Sequence, residues 1–350
     1  MPHELREPGQ IYFRTPYRVS IFGISCETFS RRVIYVAGEG KWPGDCIKTA
    51  SHVISMLDDF LEHFSPGVTH LSIHADNCAG QNKNRYLLAY LCEQVARKRF
   101  RTIEYSFMAV GHTKCDADGA FGLIKRKWRH SNTYTMDQFE KVANGASKSL
   151  VYRELPEEKW RHYRKYYDQF LKKQGVRGIS DCQRFVINDR NPLRVLLFKS
   201  AASVDGDQAF PFDVDIPLGV ISGVQPPLNP QHRSIDAFRM VPDGLHPDRV
   251  KQLKKMIVSP FCPEEAKAWW GPYLAGLEQR FRARFPDCKL PAWLNKGEEE
   301  RPKSKQVAVA AADSSSDDEG GPAERARAPP PAPAWTWASA PTSCSFSPWP

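Results

Sequence analysis

Apolar and polar positions change period several times along the first 130 residues, and each change marks an element. Gln10–Arg14 is a short apolar piece that reads as an edge strand. Arg18–Glu27 (RVSIFGISCE) and Arg32–Ala37 have strand composition, with a turn at Thr28–Arg31 between them. Gly38–Gly44 holds three glycines and Pro43, and is a loop. From Ile47 to Phe64 the apolar residues Ile47, Ala50, Val53, Ile54, Leu57, Phe60, Leu61 and Phe64 recur at intervals of three and four, which predicts a helix. Pro66-Gly67 ends it.

Leu71–Ala75 is short and apolar, as a buried strand is. A helix is expected over Lys83–Arg99, capped by Asn82. Ile103–Val110 reads as a strand. A further helix runs from about Asp116 to Trp128, with Ala117, Ala120, Phe121, Ile124 and Trp128 on one stripe. Strands followed by alternating helices and strands make a mixed α/β layered domain, placed at 1–150.

The second half is less regular. Pro156–Gln174 is expected as one long helix, with Pro156 at its start, Glu157 and Glu158 in its first turn, and Lys172, Lys173 and Gly175 at its end. It interleaves Lys159, Arg161, Arg164 and Lys165 with Trp160, Tyr163, Tyr166 and Tyr167, a pattern of amphipathic packing more than of base stacking. Gln183–Asn188 and Leu193–Lys199 read as a strand pair, and Pro211–Pro230 as proline-rich and irregular. His246–Ile257 and Pro263–Phe285 read as surface helices. These make a largely helical extension at 151–290. The Ser/acidic and Ala/Pro-rich stretch at 291–350 is expected to be disordered.

Charge adds a direction to this picture. The 350-residue chain has a formal net charge of +9. Between Arg97 and Arg129 nine Lys/Arg residues face only Glu104, Asp116 and Asp118, so the excess is concentrated there and favours an acidic partner. Nine cysteines, an odd number without a CxxC pair, argue against a disulfide framework and against a zinc finger. Met1-Pro2-His3-Glu4 starts no signal peptide, and no run approaches the ~20 apolar residues of a membrane span. The expectation is a soluble intracellular protein with no membrane partner.

Candidate chemistry gathers in one stretch, Thr69–Arg129. The strand before Asp76 delivers it into a turn rich in Asn, Gly and Gln. His112 ends the next strand, and Asp118 opens the next helix. Carboxylates at adjacent element ends bind Mg²⁺ or Mn²⁺, which prefer oxygen ligands, and such ions serve phosphodiester chemistry. His112 is a further ligand or a proton carrier in that scheme. From spacing alone the plainer assignment is the more frequent one: Asp76 as a turn residue, Asp118 as a helix N-terminal charge and His112 as a buried hydrogen-bonding histidine. Asn77, Gln81, Asn82, Lys83 and Asn84 suit a phosphate backbone or ordinary turn chemistry equally well. Lys125, Arg126, Lys127 and Arg129 lie on the helix of Asp118 and are read as phosphate contacts or as a solvated face.

Two long motifs, HADNCAGQNKNRYLLAYL at 74–91 and GHTKCDADGAFGLIKRKWRHS at 111–131, resemble a transposon-associated, uncharacterised domain family. The likeness also covers PGQIYF, RVSIFGISCE and Ser51–Phe64, and extends more weakly to FCPEEAKAWWGPYL. The family resembles a ribonuclease H-like, DDE-type transposase or integrase core. That fold has three antiparallel strands, a helix, then alternating strands and helices. The resemblance implies a mixed sheet flanked by helices. It makes Asp76 the second acid of a DDE set and Asp118 the third, with His112 nearby, and Mg²⁺ or Mn²⁺ as cofactor.

It places the first Asp on a strand before the segment matching Pro2–Phe13, where this sequence has no residue, so an impaired site is expected. DNA is the implied partner, met by Asn77, Gln81, Lys83, Arg85, Lys114, Lys125, Arg126 and Lys127. A small-molecule substrate is not implied, and a homo-oligomer or protein partner is left open. The resulting expectation is a transposon-derived, metal-dependent DNA nuclease or strand-transferase core. The alternative is a domesticated, non-catalytic DNA- or protein-binding module. Either way a nuclear location is expected, with the cytoplasm as the alternative.

Overall fold

The structure is a computed structural model. It describes residues 15–44, 49–64, 67–78, 80–108, 116–171, 179–199, 210–213, 233–258, 262–288 and 342–348, with backbone alone for 210–213 and 342–348. The expected edge strand at Gln10–Arg14, the GHTKC segment with His112 and Lys114, and most of the expected disordered tail lie outside the described residues.

The strands are β1 (Val19–Cys26), β2 (Arg31–Gly38), β3 (His70–Ala75), β4 (Thr102–Phe107), β5 (Leu150–Arg153), β6 (Arg184–Asn188), β7 (Arg194–Phe198), β8 (Phe210–Asp213) and β9 (Thr342–Pro348). The helices are α1 (Ala50–Phe64), α2 (Arg85–Ala96), α3 (Asp116–Arg129), α4 (Met136–Asn144), α5 (Tyr163–Tyr167), α6 (Pro247–Ile257) and α7 (Glu264–Arg284). The result is a mixed α/β protein. Two mixed ladders, β5-β2-β1 and β3-β4-β6-β7-β8, are joined by the backbone of β9, which pairs antiparallel with β1 and parallel with β3. β1–β2 is antiparallel and β3–β4 parallel. β6 and β7 extend the β4 edge, so the strand pair of the second half shares the sheet of the first.

Side-chain alternation sorts the sheet into two faces. Phe22, Ile24, Val33, Tyr35, Ile73 and Tyr105 bury against α1, α2 and α5. Ile34 and Val36 turn the other way, onto α3, α4, α6 and α7. Gly23 lets α3 sit close on that second face, because a Cβ there would come within 2.9 Å of the Phe121 ring.

Several sequence expectations are corrected. The helix expected over Lys83–Arg99 is Arg85–Ala96, and its cap is Asn84, whose side chain accepts from the Tyr86 and Leu87 amides. The long helix expected over Pro156–Gln174 is a 3₁₀ turn at Glu157–Lys159 followed by the short α5, with Trp160 extended between them. Tertiary pairing breaks it. Met240 N–H donates to the Trp160 carbonyl at 3.0 Å, and His162 N–H to the Phe238 carbonyl at 2.7 Å, so this backbone bonds across the fold instead of along a helix.

The two helices read as surface helices, α6 and α7, expose one side and bury the other, through Val250, Leu253 and Met256 on α6 and Ala266, Trp270, Leu274 and Leu277 on α7. β8 and β9 are strands assigned by backbone pairing, within or beside stretches the sequence reads as irregular or low-complexity. α4 lies outside the elements expected from the sequence, although Thr135 and Gln138 form a capping box there. No helix among the described residues is long and apolar enough to cross a membrane.

Candidate functional site

Asp76 follows the last residue of β3 and is held at once by the turn it enters. Its Oδ1 accepts from Asn82 Nδ2 at 2.6 Å and from the Cys78 amide at 3.1 Å. The amides of Gln81, Asn82 and Lys83 all donate to the Cys78 carbonyl, which winds the turn tightly. Tyr105, one strand over on β4, donates its hydroxyl to the Asn82 carbonyl at 3.1 Å. Burial, and then the charge of Asp76, holds that phenol well above its ordinary pKa, so it stays a donor.

Of the residues expected to meet nucleic acid, Asn77 and Lys83 are committed inside this turn by their side chains. Asn77 donates to the Met108 carbonyl at 2.5 Å. Lys83 is buried; its ammonium donates to Asn77 Oδ1 at 3.2 Å and to the Ser180 carbonyl at 2.9 Å, and sits 5.0 Å from the centre of the Phe107 ring. Burial lowers its pKa. Gln81 is buried, and its carbonyl accepts from Asn84. Arg85 pairs with Asp168 at 3.1 Å. One polar atom of the turn is left over: Asn82 Oδ1 is buried without a hydrogen-bond partner, on the amide whose nitrogen binds Asp76.

The second acid comes from the opposite face of the sheet. α3 is anchored by Asp116, which takes a bidentate hydrogen bond from Arg32 of β2 at 2.7 and 2.5 Å. That guanidinium holds the Asp116 carboxyl below its usual range. Asp118, half-buried, is in the same first turn. The ladder sets the level: Ile24 and Ala75 both register with Phe346 of β9, and Gly23 registers with Ser347. Carried one residue on, that register aligns Asp76 with Gly23, about 10 Å away across two strand spacings. Gly23 is where Ala117 and Phe121 of α3 rest. Asp76 and the first turns of α3 therefore lie at one level of the sheet, the end of β3 and the middle of β1.

Lys125, Arg126 and Lys127 are exposed farther along α3, and the Lys127 ammonium donates to the Gly145 carbonyl at 2.6 Å. Among the described residues no three His, Cys, Asp or Glu side chains gather as a metal-ligand group.

Fold and site thus define a mixed α/β protein with a tightly wound polar turn at the end of a central strand. The chain belongs to the family described as a domain of unknown function, DUF7869, whose model matches residues 16–203. No curated protein and no solved structure matches it.

Proposed function

We propose that this sheet end is the remnant or the body of a divalent-metal site for phosphodiester chemistry on DNA, of the ribonuclease H-like, DDE type, in a transposon-derived protein. The observation that carries the reading is the Asp76–Asn82 pair. One carboxylate oxygen is fixed by two donors, no described residue bonds the other, and a buried amide oxygen beside it lacks a partner. Oxygen donors of this kind fit Mg²⁺ or Mn²⁺. Asp76, with Asp118 from α3, would hold the ion, which when bound activates a nucleophile and stabilises a leaving oxygen.

The chain's own part is positioning. Asn82 and the Cys78 amide orient Asp76, Tyr105 braces Asn82, and Arg32 fixes the helix that bears Asp118. The strand arrangement also supports the reading. β1 and β2 are antiparallel, and the free edge of β1, where a further antiparallel strand is expected, is paired by β9. β9 brings no carboxylate to that position.

The test is Mn²⁺ binding by calorimetry together with Mn²⁺-dependent nicking of supercoiled plasmid. Asp76→Asn and Asp118→Asn are each expected to weaken binding at least tenfold and to remove nicking. Binding that neither substitution changes would sink the assignment.

A further inference from the structure

Behind the Asp76 turn lies an open cavity of about 1010 Å³, walled on one side by Gly80, Asn84 and Tyr86 of that turn and helix. Its other walls are the start of α1, the start of α5, and the segment around Arg239–Val241. Arg164, Lys165 and Arg239 line it, all three exposed, and none forms an ion pair among the described residues. The fourth cation, Arg284, is paired with Asp243, whose carboxylate also accepts from the Gly44 amide. Among its described lining residues, the cavity therefore carries three cations without an ion pair and no acid without one.

That positive field registers on a neighbour. His162, also in the wall, has its pKa lowered, first by burial and then by Lys165 and Arg164. α5 presents these two charges together. Its Tyr163, Tyr166 and Tyr167 are buried in the core, which leaves Arg164 and Lys165 on the outer side.

The cavity is also partly apolar and aromatic. Tyr86 is half-buried, with the Arg164 guanidinium 5.8 Å and the Arg85 guanidinium 4.8 Å from its ring centre. Pro43, Met240 and Val241 add apolar surface, and Val241 is 41% exposed. Free cations beside an aromatic shelf and apolar surface match a chain that alternates phosphate and flat base. A duplex hides its base faces in the stack, whereas a single strand offers them.

We infer that this cavity is a binding groove for single-stranded nucleic acid, in which Arg164, Lys165 and Arg239 meet phosphates and Tyr86 takes a base. The inference rests on the nucleic-acid reading of the Asp76 turn for the identity of its ligand, and is independent of the metal chemistry. The shared wall at Gly80–Tyr86 means that a strand held here runs past the Asp76 turn.

The experiment is fluorescence anisotropy with the full chain and labelled twelve-residue oligo(dT), titrated over a range of salt. The wild type is expected to bind. The triple variant Arg164→Glu, Lys165→Glu, Arg239→Glu should weaken binding more than tenfold. Neutralising the three with alanine should flatten the slope of log K against log salt by about 2, at roughly 0.7 per lost phosphate contact on a single strand. Tyr86→Leu should weaken binding several-fold with the slope unchanged.

Asp76→Asn should leave the affinity within twofold, so that a failed metal site and a failed groove give different results. Unchanged melting temperatures establish that the exposed charge variants fold. Four outcomes would overturn the inference: no binding by the wild type, equal affinity for polyglutamate, tighter binding of a duplex of the same length, or an equal loss from Lys125→Glu with Arg126→Glu on α3.

Discussion

The Asp76 turn and the cavity behind it are made from the same kinds of residue, and they use them in opposite ways. In the turn, amide and ammonium groups face inward and bond to each other. Lys83 is half of a local network and is held under Phe107 and Ser180. In the cavity, Arg164, Lys165 and Arg239 point their charge at open space. A dense run of polar residues is thus no measure of what a partner can reach. What counts is whether the backbone around it leaves donors unspent. Here the turn orients one carboxylate, and the cavity offers charge.

The contrast can be broken by stability measurements, because committed groups contribute to folding and uncommitted ones do not. The largest effect is expected at His52, in the closed wall of the cavity. The Thr49 hydroxyl donates to its Nδ1 at 2.6 Å, and its Nε2–H donates to the Pro43 carbonyl at 2.8 Å, so the neutral ring is fully satisfied. Burial lowers its pKa from 6.5 to about 4. Between those values the unfolded chain takes up a proton that the folded chain refuses, so stability falls as pH drops through that window. The loss attributable to this ring is expected to reach about 3 kcal/mol by pH 4, read as the difference between the pH–stability curves of the wild type and His52→Gln. Parallel curves would remove His52 from the committed set.

Next is the turn itself. Asn82→Ala takes a donor from a carboxylate in a closed network, and is expected to cost about 1–3 kcal/mol in denaturant unfolding. A cost near zero would mean that the turn is not braced by this contact. The smallest effect belongs to the exposed cations of the cavity: Arg164→Ala, Lys165→Ala and Arg239→Ala should each change stability by less than about 0.5 kcal/mol. A loss at any of them equal to that of Asn82→Ala would erase the difference between the two regions.

How far the sequence foretold this depends on which force wrote each element. β1, β2, β3 and α1 were legible because a buried face repeats at two or at three-to-four residues, and burial enforces the repeat. β6 and β7 were legible for the same reason. The Asp76 turn was visible as a turn, yet the roles of its asparagines were exchanged. Asn82 binds Asp76 and Asn84 caps α2, and both are ordinary asparagine chemistry two residues apart. Arg164 and Lys165 were seen beside their tyrosines, but as part of a long helix. Arg239, seventy-odd positions away, gave no signal at all. The backbone bonds that break the helix at Trp160 also place Arg239 beside them, and such bonds leave no trace in composition.

By itself, the sequence determined the alternation of strands and helices, the position of Asp76 after a buried strand and the basic character of the molecule. Periodic burial and local turn chemistry are properties of neighbouring residues, so they can be read from neighbours. Tertiary structure alone decided that Lys83 is locked away while Arg164, Lys165 and Arg239 are not. It also decided that β9, from the far end of the chain, fills the sheet between β1 and β3. Pairing between distant backbones and the solvent exposure of a charged side chain depend on what the rest of the chain brings alongside.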